Sequence, residues 1–216
     1  MQAKALRHPH DAPPNCDGRR EDRRRAILDA AETLFIEQGF AKVSLAAIIR
    51  RSGGSLATVY ELFGNKHGLL RAVVERDKYE GREALENEMA QIDSAAEILR
   101  MIADRVLLRM TESRAIAILR IVISESMTDP EFARDFYREV HLQRVAEVAG
   151  LFREWNEDGR AQIDEPEAAA ELYIAMVMGD AELKAMLGDR NDLDLGALKK
   201  RLNWRIDIFI QHFKIK

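Results

Sequence analysis

The sequence predicts an all-α fold. Three observations point there. Apolar residues recur at helical spacing along most of the chain, only 5 prolines interrupt 216 residues, and Val43 to Leu70 reads as two short helices joined by a glycine pair. The expected architecture is an N-terminal three-helix unit followed by a larger helical unit, with about nine helices.

Residues 1–18 read as a disordered tail, with three prolines, two histidines and little apolar content. A basic run follows, Gly18-Arg-Arg-Glu-Asp-Arg-Arg-Arg25. It is either a solvated helix start or an arm that reaches phosphate or the minor groove. Ile27, Ala30, Ala31, Leu34 and Phe35 form one apolar stripe, and Gly39 stops that helix. Ser44 opens a second run with Leu45, Ile48 and Ile49. Gly53 and Gly54 then supply a turn, since glycine takes left-handed backbone angles at no steric cost. Ser55 stands as an N-cap for Leu56 to Phe63, which ends at Gly64. Two short helices about a glycine turn are a helix-turn-helix, and the second usually enters the DNA major groove. Leu56, Ala57, Thr58, Tyr60 and Glu61 are the candidates to face DNA, with Val59, Leu62 and Phe63 inward. The Thr58 hydroxyl has a competing local role at the helix start, and Tyr60 a competing role in packing.

The next helix is expected from about Lys66 past Glu88, with Gly81 as a point of bending. Ser94 caps another, with Ile98, Leu99, Ile102 and Val106 inside. Ala115 to Met127 is apolar nearly all round and reads as a central buried helix, interrupted by Arg120, Ser124 and Glu125. Those residues mark an internal ion pair, an exposed edge or a ligand contact. Asp129-Pro130-Glu131 starts a helix that carries Phe132, Phe136, Tyr137, Val140, Val148, Leu151, Phe152 and Trp155 to Gly159. Pro166 starts one rich in Ala and Met. The last, Leu195 to Phe213, has one stripe at Leu195, Leu198, Leu202, Ile206, Phe209 and Phe213, and a second at Trp204 and Ile208. Two apolar faces require two partners, and a second subunit fits the outer one.

The run of motifs around the glycine turn is specific. A helix ending in Gly-Phe is followed by Ser-Leu-x-x-Ile, by Ser-Gly-Gly-Ser-x-x-Thr-Val-Tyr-x-x-Phe and by x-Lys-x-x-Leu-Leu. Over roughly its first third the chain closely resembles the TetR family of transcriptional repressors. Leu119 to Gly179 is similar to one C-terminal subgroup, through Ser-Glu-x-x-x-x-Pro-x-Phe, a later Gly and Pro-x-x-Ala-Ala. The resemblance implies an all-helical homodimer on palindromic operator DNA, released when a small molecule binds the C-terminal unit. It implies phosphate contacts for Tyr60 and Lys66. The chain departs from the family pattern at Ile49 (usually Ala), Ala57 (often Gly), Leu62 (often His) and His67-Gly68 (usually an acidic start). Glu61 would repel phosphate and serve only by accepting from a cytosine amino group.

Composition agrees with a regulator of this kind. Net charge is −4, but the stretch through Lys66 holds eleven Lys/Arg against eight Asp/Glu, leaving a head of +3 on a remainder of −7. A basic end on an acidic body suits a molecule that lays one end on phosphate. The single cysteine, Cys16, allows no disulfide within the chain, and a cytoplasmic location is expected. No apolar run approaches a membrane span. His8 and His10 lack a third ligand nearby, and His67, His141 and His212 are scattered, so no metal or cofactor is expected. Glu167 and Glu171 are helical neighbours on an exposed face, and no phosphate loop, nucleophile elbow or catalytic set is found.

The expected division is 1–20 as a disordered or basic arm, 21–66 as the DNA-binding helix-turn-helix domain, and 67–216 as the effector-binding and dimerisation domain. The expected DNA contacts are Arg24, Ser44, Ser55, Leu56, Ala57, Thr58, Tyr60, Glu61 and Lys66. Met101, Arg105, Arg120, Ser124, Phe136, Tyr173 and Met176 are expected to line an effector pocket. The expected partners are double-stranded operator DNA, a second copy of the chain through the last two helices, and a small-molecule effector, with no membrane. The competing reading is an all-helical small-molecule binding protein with a vestigial head; an enzyme is not expected.

Overall fold

The computed structural model describes residues 16–80, 82–187 and 194–216. Every regular element among them is helical. In order they are α1 (Cys16–Gln38), α2 (Leu45–Ser52), α3 (Leu56–Phe63), α4 (Lys66–Glu80), α5 (Arg82–Met89), α6 (Ala95–Met110), α7 (Ser113–Thr128), α8 (Pro130–Phe136), a π turn (Tyr137–His141), α9 (Leu142–Glu157), α10 (Pro166–Leu187) and α11 (Leu195–His212).

The helix starts follow the side-chain chemistry. Ser44 Oγ accepts from the Ala47 amide at 3.1 Å, Ser55 Oγ from Thr58 at 3.2 Å, and Ser94 Oγ from Glu97 at 3.3 Å. Asp129 Oδ1 accepts from both Glu131 and Phe132 at 3.0 Å, with Pro130 in the first turn where no amide is needed. Each such cap contributes about 1 kcal/mol, a large share of what so short a helix can hold.

The apolar side chains gather into two cores. The head core takes Ile27, Leu28, Ala31 and Phe35 from α1, Ile48 from α2, Val59 and Phe63 from α3, and Leu69, Leu70 and Val73 from α4. It also takes Ile118 and Val122 from α7 and Phe132 from α8, with Phe136 packed against it. The body core joins α6, α9, α10 and α11 around Leu99, Phe152, Trp155, Tyr173, Leu202, Ile206 and Phe209. The C-terminal tail closes it. Lys216 donates its amide to the Arg160 carbonyl at 2.9 Å and accepts from Ala96 at 3.0 Å. The chain passes from the head core to the body core at α6, returns to the head core through α7 and α8, and rejoins the body core after the π turn, between Phe132 and Val145.

Several expectations change here. Helix α1 begins at Cys16, so Arg19 to Arg25 are helical; residues 1–15, with His8 and His10, lie outside the described residues, as does Gly81. Helix α7 is not buried all round. Only Ile116, Ile118 and Val122 are buried, while Arg120 and Ser124 are exposed. One face meets the head core, while Arg120, Ser124 and Met127 are exposed. The single helix expected from Asp129 to Gly159 is broken by the π turn, and Tyr137 is exposed rather than inward. Helix α10 kinks at Gly179, whose φ of 45° is left-handed; a Cβ there would strike the Arg205 guanidinium. Leu195 is exposed, at the edge of the inner stripe expected to bury it, whereas Leu198, Leu202, Ile206 and Phe209 are buried.

Candidate nucleic-acid interface

The turn between α2 and α3 needs its glycines. Gly53 and Gly54 have φ of 74° and 101°, where a side chain would be strained. Arg23 of α1 lies across both. Its Nη1 donates to the Ser52 carbonyl at 3.2 Å, answering one of the carbonyls left open at the end of α2. At the other end, Asn65 Oδ1 caps α4 by accepting from Gly68 at 2.7 Å. A Cβ on Gly68 would lie 2.0 Å from the Phe63 carbonyl, so α4 can follow α3 this tightly only with glycine there. This explains the departure at His67-Gly68. Asn65 replaces the missing acidic cap, and glycine admits the close approach.

Helix α3 buries Val59 and Phe63 and leaves Leu56, Ala57, Tyr60 and Glu61 exposed on one face. Thr58 is half-buried, its hydroxyl 3.0 Å from Ser55 Oγ, so both hydroxyls are engaged in the start of the helix. Ser44 is likewise engaged at the start of α2. Tyr60 projects freely, 56% exposed. Glu61 does not stand alone: Arg20 Nη2 lies 3.3 Å from its Oε1. Arg24 contacts Glu21 at 3.9 Å and sits 5.8 Å over the Phe63 ring. The basic run thus ties α1 to α2 and α3 as well as charging the surface.

Lys66 is turned inward. Its Nζ donates to the Phe40 carbonyl at 2.5 Å and lies 4.2 Å over the Phe40 ring. Burial pulls its pKa below the ordinary lysine value, partly offset by Glu125. Of the nine expected DNA residues, Leu56, Ala57, Tyr60 and Glu61 share one open face, Ser44, Ser55 and Thr58 hold helix starts, and Arg24 and Lys66 brace the head.

The head is clamped to the helices behind it. Glu32 of α1 accepts from Arg76 of α4 at 3.0 Å and from Arg114 of α7 at 2.7 Å. The His67 ring stacks between Phe40, at 5.2 Å, and Phe132, at 4.7 Å, with Glu125 and Asp129 oxygens 3.6 and 3.8 Å from its nitrogens. Sequence reasoning missed Arg20, Arg23 and Glu32 in these roles, because their partners lie 29 or more positions away. Asn65 was findable: it is a preferred cap residue directly before a helix.

The expected effector residues are not brought together. Tyr173 is fully buried and donates to the Leu99 carbonyl at 2.7 Å; burial pushes its phenol pKa up. Met101 and Met176 pack at the margin of the body core, and Phe136 packs on the head core. Arg105 pairs with Glu88, while Arg120 and Ser124 are exposed. A different cavity, about 490 Å³ and open to solvent, lies between α5, α6 and α9. Its walls are Met89, Ile92, Ile98, Leu151 and Trp155, with Asp93, Glu154 and Arg160 among its polar groups. Among the described residues no cluster of three His, Cys, Asp or Glu is set to hold a metal, and no helix is long and apolar enough to cross a membrane.

Comparison with known proteins covers both units. Residues 27–73 match the family model for bacterial regulatory proteins of the tetR family, and residues 97–215 match that for the C-terminal domain of AefR-like transcriptional repressors. The chain is 42% identical over 65 residues to the HTH-type transcriptional repressor ComR of Escherichia coli K12, a match that spans 30% of each protein. Among solved structures it is similar to a TetR-family regulator from Mesorhizobium loti, with TM-score 0.73 and 22% identity over 90% of this chain and 98% of that one. It is also similar to the flavonoid-responsive regulator FrrA, with TM-score 0.63 and 27% identity over 90% and 97%.

Proposed function

Since this chain belongs to the TetR family of transcriptional regulators, we propose that it works as a cytoplasmic homodimeric repressor, released from operator DNA by a small organic effector. The observation that carries the proposal is the open face of α3, Leu56, Ala57, Tyr60 and Glu61, on a head whose core is completed by α7 and α8. A helix presented this way fits a major groove.

Two copies join through α10 and α11. Leu172, Trp204 and Ile208 are exposed there, Trp204 at 66%, and apolar surface of this kind requires cover. The dimer then holds two heads about 34–36 Å apart, one turn of DNA. The Glu32 fork and the His67 stack link each head to α7 and α8, so movement in the body alters head separation. The cavity beside Ile98 and Trp155 is the place we assign to the effector, and likeness to a flavonoid-responsive regulator supports an organic ligand. Strong release needs several kcal/mol of preference for the form that does not fit DNA. The competing reading of a vestigial head rests on Glu61 and Leu62, and the Arg20–Glu61 contact supports the DNA-binding reading by balancing the acid on the exposed face.

The test is binding of the full chain to promoter DNA at fixed salt, with and without Tyr60→Ala. The variant keeps its helical circular dichroism and loses about tenfold in affinity, with a shallower salt dependence. Equal affinity for both proteins rules out Tyr60 as a phosphate contact. Lys66 is the poorer probe, because its bond to the Phe40 carbonyl makes any substitution structural as well.

A further inference from the structure

The residues that DNA-reading helices most often use are missing from α3. Leu56-Ala-Thr-Val-Tyr-Glu-Leu-Phe63 contains no Arg, Lys, Asn or Gln. The bidentate grips on guanine and adenine are therefore unavailable to it. Its exposed face offers two apolar groups (Leu56, Ala57), one hydroxyl (Tyr60) and one carboxylate (Glu61). A carboxylate can only accept, and in the major groove its partner is the N4 amino group of cytosine. Apolar side chains distinguish thymine by its methyl.

An unbalanced carboxylate would oppose the phosphates on either side of the groove. Arg20 prevents this. Its guanidinium comes from α1, 41 positions earlier, and stands 3.3 Å from Glu61 Oε1. Both side chains stay open, 63% and 68% exposed, so Glu61 keeps lone pairs for a base and Arg20 keeps N–H groups for a phosphate. Ala57, one turn before Glu61, is too small to shield it from an approaching base edge.

We propose that Glu61 is the specificity-determining residue of the reading helix, accepting from a cytosine amino group in each half-site, and that Arg20 is its positioning residue. Leu56 and Ala57 add preference for neighbouring thymines. This rests on the DNA-binding reading above and deepens it: the operator half-site is recognised by cytosine and thymine edges rather than by guanine.

The experiment selects bound duplexes from a random-sequence pool, in parallel, with the full-length parent and with Glu61→Gln. The exposed site makes the variant fold like the parent, which circular dichroism verifies. The parent pool carries a symmetric cytosine that Glu61→Gln exchanges for adenine, the base a glutamine amide grips through N6 and N7. On the parent's selected site, cytosine replacement costs the parent roughly tenfold and the variant little. Arg20→Ala weakens the parent strongly and the Glu61→Gln background much less, a coupling that loss of a bare phosphate contact would not produce. The same base at that position in both pools overturns the assignment of Glu61 while leaving the regulator intact. Equal Arg20→Ala losses in the two backgrounds overturn the role of Arg20. A parent that enriches no sequence overturns the regulator reading itself.

Discussion

The head and the body close their cores by different means. In the head, behind the 23-residue α1, the short helices α2 and α3 have their ends tied by local groups: Ser44, Ser55 and Asn65 as caps, with Gly53, Gly54 and Gly64 in the left-handed region. The body is made of long helices joined by ties distant in sequence, such as Tyr173 to Leu99, Arg100 to Asp207 and the C-terminal backbone to Ala96 and Arg160, where the head adds distant ties of α1 to its local caps. The head is also the less self-sufficient of the two, since its core is completed by Ile118, Val122 and Phe132 from beyond residue 73. Helices from both matched stretches, 27–73 and 97–215, therefore meet inside the head core.

The sharpest way to break this comparison is Phe132→Ala. Phe132 lies outside the stretch that matches the DNA-binding family model, yet it is 5% exposed in the head core and stacked on His67. The substitution costs about 3–5 kcal/mol, and amide exchange speeds up in α2 and α3 before it does in α10. Exchange that accelerates only within α8 and α9 separates the two units after all. Gly68→Ala has the next largest effect, about 1–3 kcal/mol, because the new Cβ drives α3 and α4 apart; chemical denaturation measures it. Ser55→Ala costs about 1 kcal/mol through the lost cap and lowers DNA affinity with it.

The smallest effect is a pH step at α8. The amide of Phe132 holds the Asp129 carboxyl below its ordinary value of 3.8, helped by the Glu131 amide and by His67 and Arg134, with burial opposing. Because the folded value lies below the unfolded one, this stabilisation is complete above pH 3.8 and fades as pH falls through the folded value. The Phe132 amide resonance reports it, and Asp129→Asn abolishes the step while keeping a cap.

The same contrast explains what was legible in the sequence. Caps and turns are local chemistry, so Ser44, Ser55, Ser94, Asp129 and Gly39 marked their helix ends correctly. The exposed face of α3 followed from helical period for Leu56, Ala57, Tyr60 and Glu61, while Thr58 is half-buried at the helix start. Pairings across helices did not, because a stripe shows that a face is covered but not by what. Hence the sequence leaves the basic run at 18–25 open between a solvated helix start and an arm and does not pair Arg20 with Glu61, and α7 reads as a central helix without showing which edge stays open. The expected pocket residues are dispersed over both cores and the surface for a related reason. Met101, Tyr173 and Met176 suit a cavity lining by composition, and core packing uses the same residue types.

Hydroxyl-radical footprinting of the full-length protein on a selected duplex tests the central claim most directly. Two heads held by one dimer predict two protected patches on one face of the DNA, one helical turn apart, both lost in Trp204→Glu, which splits the pair. A single patch, or two that survive in that variant, contradicts the account.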